Sequence, residues 1–150
     1  MDFNIAVHLA VTSLAIPLGA WVLWRPKGDR LHKLAGRTWS GLILLSCISS
    51  LGIRGDNGEF SYIHLITLFT FLSIVVALIS IKLRANIMQR TPANSPSKIL
   101  GIPVTPQLLL IRHQRAMKGT YIGLIIAGLL AVLLPGRYLH NMLFTFINIQ

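Results

Sequence analysis

The residues of this sequence best suited to chemistry are its histidines. The chain has five of them, against four acidic residues and one cysteine, Cys47. Neutral imidazole is a common ligand of iron, copper and zinc. None of the acidic residues lies deep in an apolar block, which argues against a carboxylate-driven proton pump or cation transporter. A single thiol builds neither a disulfide framework nor a thiolate cluster, so Cys47 is expected to be a small buried residue.

Long apolar helices must position these histidines. Hydrophobic residues make up 53% of the chain and charged residues only 12%, whereas a soluble domain has about a quarter charged residues. We therefore predict an all-α fold, an integral membrane protein whose single domain over residues 1–150 is an up-down bundle of four transmembrane helices. The helices are expected at about 3–24, 31–53, 62–83 and 110–134, and a short segment, 138–150, is expected to lie at the membrane interface.

The basic residues predict the orientation of the bundle. The net charge is +10, but the lysines and arginines lie between apolar blocks without interleaved aromatic residues, which argues against nucleic-acid binding. Twelve of the fourteen lie around the start of helix two or before helix four, and only Arg54 and Arg137 lie on the other side. By the positive-inside rule the two basic loops are cytoplasmic. This predicts a multi-pass protein of a bacterial inner membrane with both termini in the periplasm.

Four of the histidines lie near helix ends and match in depth in two pairs. His8 and His64 lie within the first turns of helices that start at the outer face. His32 and His113 each precede the outer end of their helix by 21 residues, which is about 30 Å of helix. We therefore expect an outer pair and an inner pair, whereas His140 in the terminal segment is expected to be a surface residue.

Each pair comes from helices that lie diagonally across an up-down bundle, because sequential helices are neighbours. Two opposed imidazoles can bind one iron with the flat ring of a haem filling the space between diagonal helices, so the pairing predicts haem b, one or two per chain. Lys33, Arg37 and Arg115 are candidate partners for haem propionates or a quinone headgroup. Small residues beside the inner histidines would leave room for a porphyrin: Ala35, Gly36, Ala116 and Gly119.

Four short stretches also carry a family resemblance. They are Phe3-Asn4 before His8, the stretch from Lys27 to His32, the stretch from Ser61 to His64, and His113 at the head of a Gly- and Leu-rich helix. Together they resemble the four-helix core of the cytochrome b561 family, whose core helices carry one haem-ligating histidine each. The resemblance implies that His8 and His64 hold an outer haem and that His32 and His113 hold an inner one.

A second resemblance is closer in detail. The stretches 27–37, Ile63-His64-Leu65 and His113–Gly119 are similar to those of a bacterial family of small four-helix predicted membrane proteins of unknown function. This likeness implies the same four-helix architecture and carries no activity with it.

The hypothesis that these patterns favour is a b-type cytochrome that passes electrons across the membrane. Its redox partners would be a quinone, a periplasmic redox protein or another membrane-complex subunit, and it would be an oxidoreductase only if it reduces a diffusible substrate. A haem-free accessory or assembly subunit is an alternative, because a single membrane histidine is commonly just a structural hydrogen-bonding residue. A copper or zinc ion held by His8 and His64 alone is a third hypothesis.

Overall fold

In a computed structural model the chain forms four long helices and one short one. The structure describes residues 3–53, 62–90, 98–99, 102–135 and 138–147. The helices are α1 (Phe3–Trp24), α2 (Arg30–Leu51), α3 (Tyr62–Arg90), α4 (Pro106–Leu133) and α5 (Tyr138–Ile147). The first four are long and apolar enough to cross a membrane. The predicted all-α fold and four-helix membrane bundle are confirmed.

Two helices extend further than the apolar runs predicted. Helix α3 continues to Arg90 rather than ending near residue 83. Helix α4 begins at Pro106, before the predicted span from residue 110 but in agreement with the helical approach that the sequence predicts from Gln107 to Arg115. Proline fits the first turn of a helix, and the Thr105 side chain accepts a hydrogen bond from the Leu108 N–H at 3.2 Å. The apolar run marks the part of a helix that crosses lipid, whereas caps determine where the helix itself ends.

A two-residue antiparallel ladder lies between α3 and α4. Strand β1 (Lys98–Ile99) pairs with β2 (Ile102–Pro103), with Lys98 opposite Pro103. Arg54 and Arg137, the two cations predicted on the opposite side of the membrane, lie outside the described residues.

The connection between α1 and α2 is held by side-chain caps. Asp29 caps α2 by accepting a hydrogen bond from the His32 N–H at 2.7 Å, and Arg25 donates to the same carboxylate at 2.6 Å. Arg25, and then the His32 N–H, hold the pKa of the Asp29 carboxyl below its usual range. Lys27 donates to the Val22 and Leu23 carbonyls at the end of α1. A left-handed glycine, Gly28 with φ 98°, completes the turn.

The four long helices surround a common centre in chain order. Helix α1 packs against α2 and α4, and α3 packs against the same two helices. Within the described residues, neither α1 and α3 nor α2 and α4 make close backbone contacts, so these pairs are the diagonals of the bundle. The 25–29 connection, the end of α3 and the start of α4 lie at one end, here called the basic end. The opposite end is where α1 and α3 begin.

Trp39 fills the centre of the bundle. Its side chain is fully buried, and its indole N–H donates to the Ala15 carbonyl at 2.9 Å. A Cβ on Gly19 would lie 2.5 Å from the indole nitrogen and 2.8 Å from Cδ2 of Tyr121, so glycine is required for this packing. Of the three tryptophans, Trp39 is a core residue, whereas Trp24 at the basic end is 92% exposed.

Candidate functional site

A cavity of about 470 Å³ opens at the end opposite the basic end, where His8 of α1 and His64 of α3 both line its wall. Helices α2, α4 and α5 complete the wall, which is mostly apolar. Its volume lies within the range of cofactor and small-molecule sites. The predicted outer pair therefore shares one cavity, reached from two diagonal helices. This cavity is called the His8–His64 cavity below.

The hydrogen bonds of His8 determine which of its two ring nitrogens carries the proton and which keeps its lone pair. Its Nδ1 lies 3.1 Å from the Ser46 carbonyl and 3.2 Å from the Ser49 hydroxyl. A carbonyl only accepts, and the Ser49 hydroxyl already donates its proton to the same Ser46 carbonyl at 3.0 Å. Nδ1 must therefore carry the proton and donate it. The remaining nitrogen, Nε2, is left with its lone pair, as a metal ligand requires.

Hydroxyl and thiol groups of α2 and α3 contribute to the polar part of the wall. The Ser50 and Thr67 hydroxyls hydrogen-bond to each other at 2.8 Å, and the Cys47 thiol lies 3.8 Å from the Thr67 carbonyl. Cys47 is buried, which confirms its predicted role as a small buried residue. These contacts tie α2 to α3 beside the two histidines.

The small residues of α4 divide between two surfaces. Ala127, Gly128 and Ala131 line the His8–His64 cavity, where their lack of bulk leaves space for a ligand. Gly123 packs on α3 instead, since a Cβ there would lie 3.0 Å from the Thr70 hydroxyl. Gly119 lies on the outside of the bundle, in a shallow apolar groove between α3 and α4.

Helix α5 closes one side of the cavity. Tyr138 and Leu139 are part of its lining. His140, predicted to be a surface residue, is half-buried: its Nδ1 lies 3.0 Å from the Val132 carbonyl at the end of α4, and its ring stacks on Phe144. The terminal segment packs on the bundle because the last carbonyls of α4 need donors.

The predicted inner pair, His32 and His113, lies at the basic end. The His113 Nδ1 donates to the Ala77 carbonyl at 2.9 Å, the same type of bond that His8 makes. The His32 Nδ1 is buried and has no hydrogen-bond partner among the described residues.

Core residues pack beside the inner pair. The His8–His64 cavity does not reach it, and Ala35, expected to leave room for a porphyrin, is a buried part of the core together with Val22, Ala77 and Met117. Ala116 packs against the same core. A Cβ built on Gly36 would meet no other atom within 4 Å, so there is free space beside this residue.

The three cations proposed from the sequence as propionate or quinone partners lie toward the basic end with the inner pair, as expected, and away from the outer site. Lys33, Arg37 and Arg115 are exposed, and none of them lines the His8–His64 cavity.

Three serines of α2 lie beside the outer histidines, although the sequence did not indicate them as site residues. Ser46, Ser49 and Ser50 are all buried in α2. Ser49 and Ser50 follow Ser46 by three and four residues, a spacing that places both near it on one side of a helix and that could have identified them.

The His8–His64 cavity fits a haem by three criteria. It has the size and apolar lining of a prosthetic-group site, it places an imidazole on each of two diagonal helices, and it holds His8 in the tautomer of an axial ligand. A haem needs only two axial side chains from the protein. Within the described residues no three histidine, cysteine or acidic side chains lie close enough to hold a bare metal ion.

Comparisons with protein-family models, with curated proteins and with solved structures find no match for this chain. What the cavity binds must therefore be inferred from its own residues.

Proposed function

We propose that the chain is a b-type haem protein of a multi-pass membrane bundle, with haem b held between His8 and His64. The observation that carries the proposal is that both imidazoles line one apolar cavity from diagonal helices, with Nε2 of His8 available as a ligand. The cytochrome b561-like pattern of histidines along the chain supports it. When bound, the haem supplies one-electron oxidation and reduction.

The protein's own residues would position and shield this cofactor. His8 and His64 would hold the haem, and the Ser46 carbonyl and Ser49 hydroxyl would orient the His8 ring. The small side chains at Ala127, Gly128 and Ala131 would leave room for it. The mostly apolar wall would lower the dielectric constant around the cofactor, and a hydrophobic surrounding of this kind influences its reduction potential. Electron transfer with a quinone or a redox protein would take place at this end, which by the positive-inside rule would be the periplasmic face of a bacterial inner membrane.

A bare copper or zinc ion fits this cavity less well than haem. Such ions usually take three or four side-chain ligands in a compact shell, and within the described part of the chain no group of three suitable side chains is assembled. Two histidines on diagonal helices suit a wide ring instead.

The test is a reduced-minus-oxidised visible spectrum of the detergent-purified protein from haem-replete cells, with a pyridine haemochrome assay. We expect a strong Soret band that is lost in His8→Ala and in His64→Ala. The matched control is His140→Ala, which removes a histidine that also contacts a helix carbonyl but is not part of the cavity wall. The control should keep the band.

A colourless wild-type protein would contradict the proposal and favour a haem-free accessory subunit. Full haem retention in both His8→Ala and His64→Ala would place the haem elsewhere in the chain. Size-exclusion profiles of all variants distinguish the loss of a ligand from the loss of the fold.

A further inference from the structure

The His8–His64 cavity has an edge between α1 and α4. Two residues of its wall on these helices, Ser13 and Leu129, are exposed to the outside of the bundle, Leu129 to 54%. The lining residues of α2 and α3 that the structure describes are all buried or half-buried. A residue that both lines a cavity and faces outward marks where the cavity meets the surface. We call this edge, bounded by Ser13 and Leu129, the α1–α4 seam.

The positions of the two residues around their helices agree with a lateral opening. At about 100° per residue, Ser13 is turned roughly 120–140° from Gly19 and His8, which both contact α2. Leu129 is turned about 120° from Gly123, which packs on α3. Ser13 and Leu129 therefore point away from α2 and α3, toward the side that α1 and α4 share.

The seam lies at the depth of the bilayer hydrocarbon. Leu129 precedes the end of α4 by four residues, and Ser13 follows the start of α1 by ten, which is about 6 Å and 15 Å of helix. These depths fall within one leaflet of a bilayer about 30 Å thick. Both residues also belong to helices long and apolar enough to span a membrane, so the seam faces lipid.

The water-facing end of the cavity is partly covered by α5. Tyr138 and Leu139 contribute to the wall there. His140 fastens α5 to the bundle, because its Nδ1 lies 3.0 Å from a carbonyl near the end of α4. Entry from water would have to pass this helix, whereas entry from lipid would not.

A proline interrupts the hydrogen bonding of α1 beside the seam. Pro17 lies inside α1 and has no N–H, so the carbonyl of Ser13, four residues earlier, lacks its usual helix bond. Prolines are common points of bending in helices. The segment of α1 before Pro17 is bonded to α2 through His8, and α1 packs more loosely on α4 than on α2. This segment can therefore move away from α4 while it keeps its contact with α2.

We propose that the cavity takes up its haem sideways from the bilayer, through the α1–α4 seam, and that the segment of α1 before Pro17 moves to open it. This inference rests on the proposed function and adds the route of the cofactor. Haem suits the route because its ring is flat and largely apolar, with both carboxylates at one edge. That edge can stay near the headgroups while the ring lies between the two helices.

Haem uptake by the haem-free protein in liposomes, followed as the growth of the Soret band, tests the route. Ser13→Phe should narrow the seam and slow both uptake and release of haem several-fold. A change in affinity alone would not slow both steps. The matched control is Leu14→Phe, at the next residue, which is 61% exposed but is not part of the cavity wall. It should leave both rates unchanged.

A second variant tests the moving segment. Pro17→Ala restores the N–H that the Ser13 carbonyl lacks and should slow uptake about five-fold, the rate equivalent of one backbone hydrogen bond of about 1 kcal/mol. Pro106→Ala is its control, because Pro106 lies in the first turn of α4, where no helix bond is missing. Equal uptake rates in Ser13→Phe and Leu14→Phe, or in Pro17→Ala and Pro106→Ala, would overturn the proposal.

A measurement without haem separates this inference from the proposed function. Cys47 is the single cysteine of the chain and lines the cavity, so its labelling reports access to the cavity. In liposomes an uncharged, lipid-soluble maleimide should label Cys47 faster than a charged one, and Ser13→Phe but not Leu14→Phe should slow that labelling. Labelling at least as fast by the charged maleimide would mean that the cavity opens to water beside α5, and would overturn the seam. A wild-type protein that takes up no haem would contradict the proposed function instead.

Discussion

At the scale of single residues, the informative feature is the way His8 is oriented. A histidine in an apolar helix can place its proton on either ring nitrogen, and the neighbour of one nitrogen determines the chemistry of the other. Here the Ser46 carbonyl and the Ser49 hydroxyl both accept from Nδ1, so Nε2 is available to a ligand. His113 likewise donates from Nδ1 to the Ala77 carbonyl, so its Nε2 also keeps its lone pair.

The residue-scale prediction concerns Ser49. In Ser49→Ala, His8 keeps its bond to the Ser46 carbonyl but loses one of its two acceptors, so the ring becomes less electron-donating and less firmly held. We expect haem affinity to fall about ten-fold and the reduction potential to rise, as measured by haem-transfer assays and redox titration.

Ser50→Ala is the control for this prediction. Ser50 also lines the cavity, but its hydroxyl bonds to Thr67, so the potential should change little. Equal shifts in Ser49→Ala and Ser50→Ala would show that the serines act on the polarity of the cavity and not on the His8 ring. A wild-type protein without haem would instead contradict the proposed function itself.

At the scale of helices, apolar runs indicate which residues span the membrane, whereas capping residues indicate where each helix ends. The runs located the spanning segments, because a bilayer requires about 20 apolar residues whose backbone groups bond internally. The extension of α3 to Arg90 and of α4 back to Pro106 was not visible in those runs, since polar turns outside lipid can still be helical.

The element-scale prediction concerns the contact of α1 with α2. Gly19→Ala would place a methyl group against the rigid Trp39 indole and the Tyr121 ring, and would strain the Trp39 bond to Ala15. Overpacking of this kind costs about 1–3 kcal/mol. We expect a lower midpoint of thermal unfolding in detergent, with a red-shifted tryptophan emission as the central indole becomes more exposed to polar surroundings.

Gly41→Ala is the matched control, because a Cβ at this exposed position of α2 meets nothing within 4 Å. Alanine is the better helix former by about 1 kcal/mol, so stability should be unchanged or slightly higher. A midpoint as high in Gly19→Ala as in Gly41→Ala would contradict the packing described around Trp39.

At the scale of the whole molecule, the two ends of the bundle differ in packing. The end opposite the basic end holds a cavity between its histidines, whereas the residues around the inner pair form part of the buried core. The helix order makes both histidine pairs diagonal, as expected, and the cavity described above lies between the outer pair. This favours a haem at one level of the membrane.

The whole-molecule prediction is therefore one haem per chain. The pyridine haemochrome assay, set against protein concentration from amino-acid analysis, should give a ratio near one, and His113→Ala should keep that haem. A ratio near two, falling to one in His113→Ala, would instead place a second haem at the inner pair and restore the transmembrane electron path expected from the sequence.

The sequence alone determined the membrane class, the number of spanning helices and the diagonal relation of the histidine pairs. These follow from the length of apolar runs and the order of helices, which local chemistry and the bilayer impose. Only the tertiary structure decided that Trp39 fills the centre, that Ala35 belongs to the core, and that the outer pair has a cavity. Those outcomes depend on how far each helix is rotated about its axis, which is settled by side-chain packing between helices and not by any one helix.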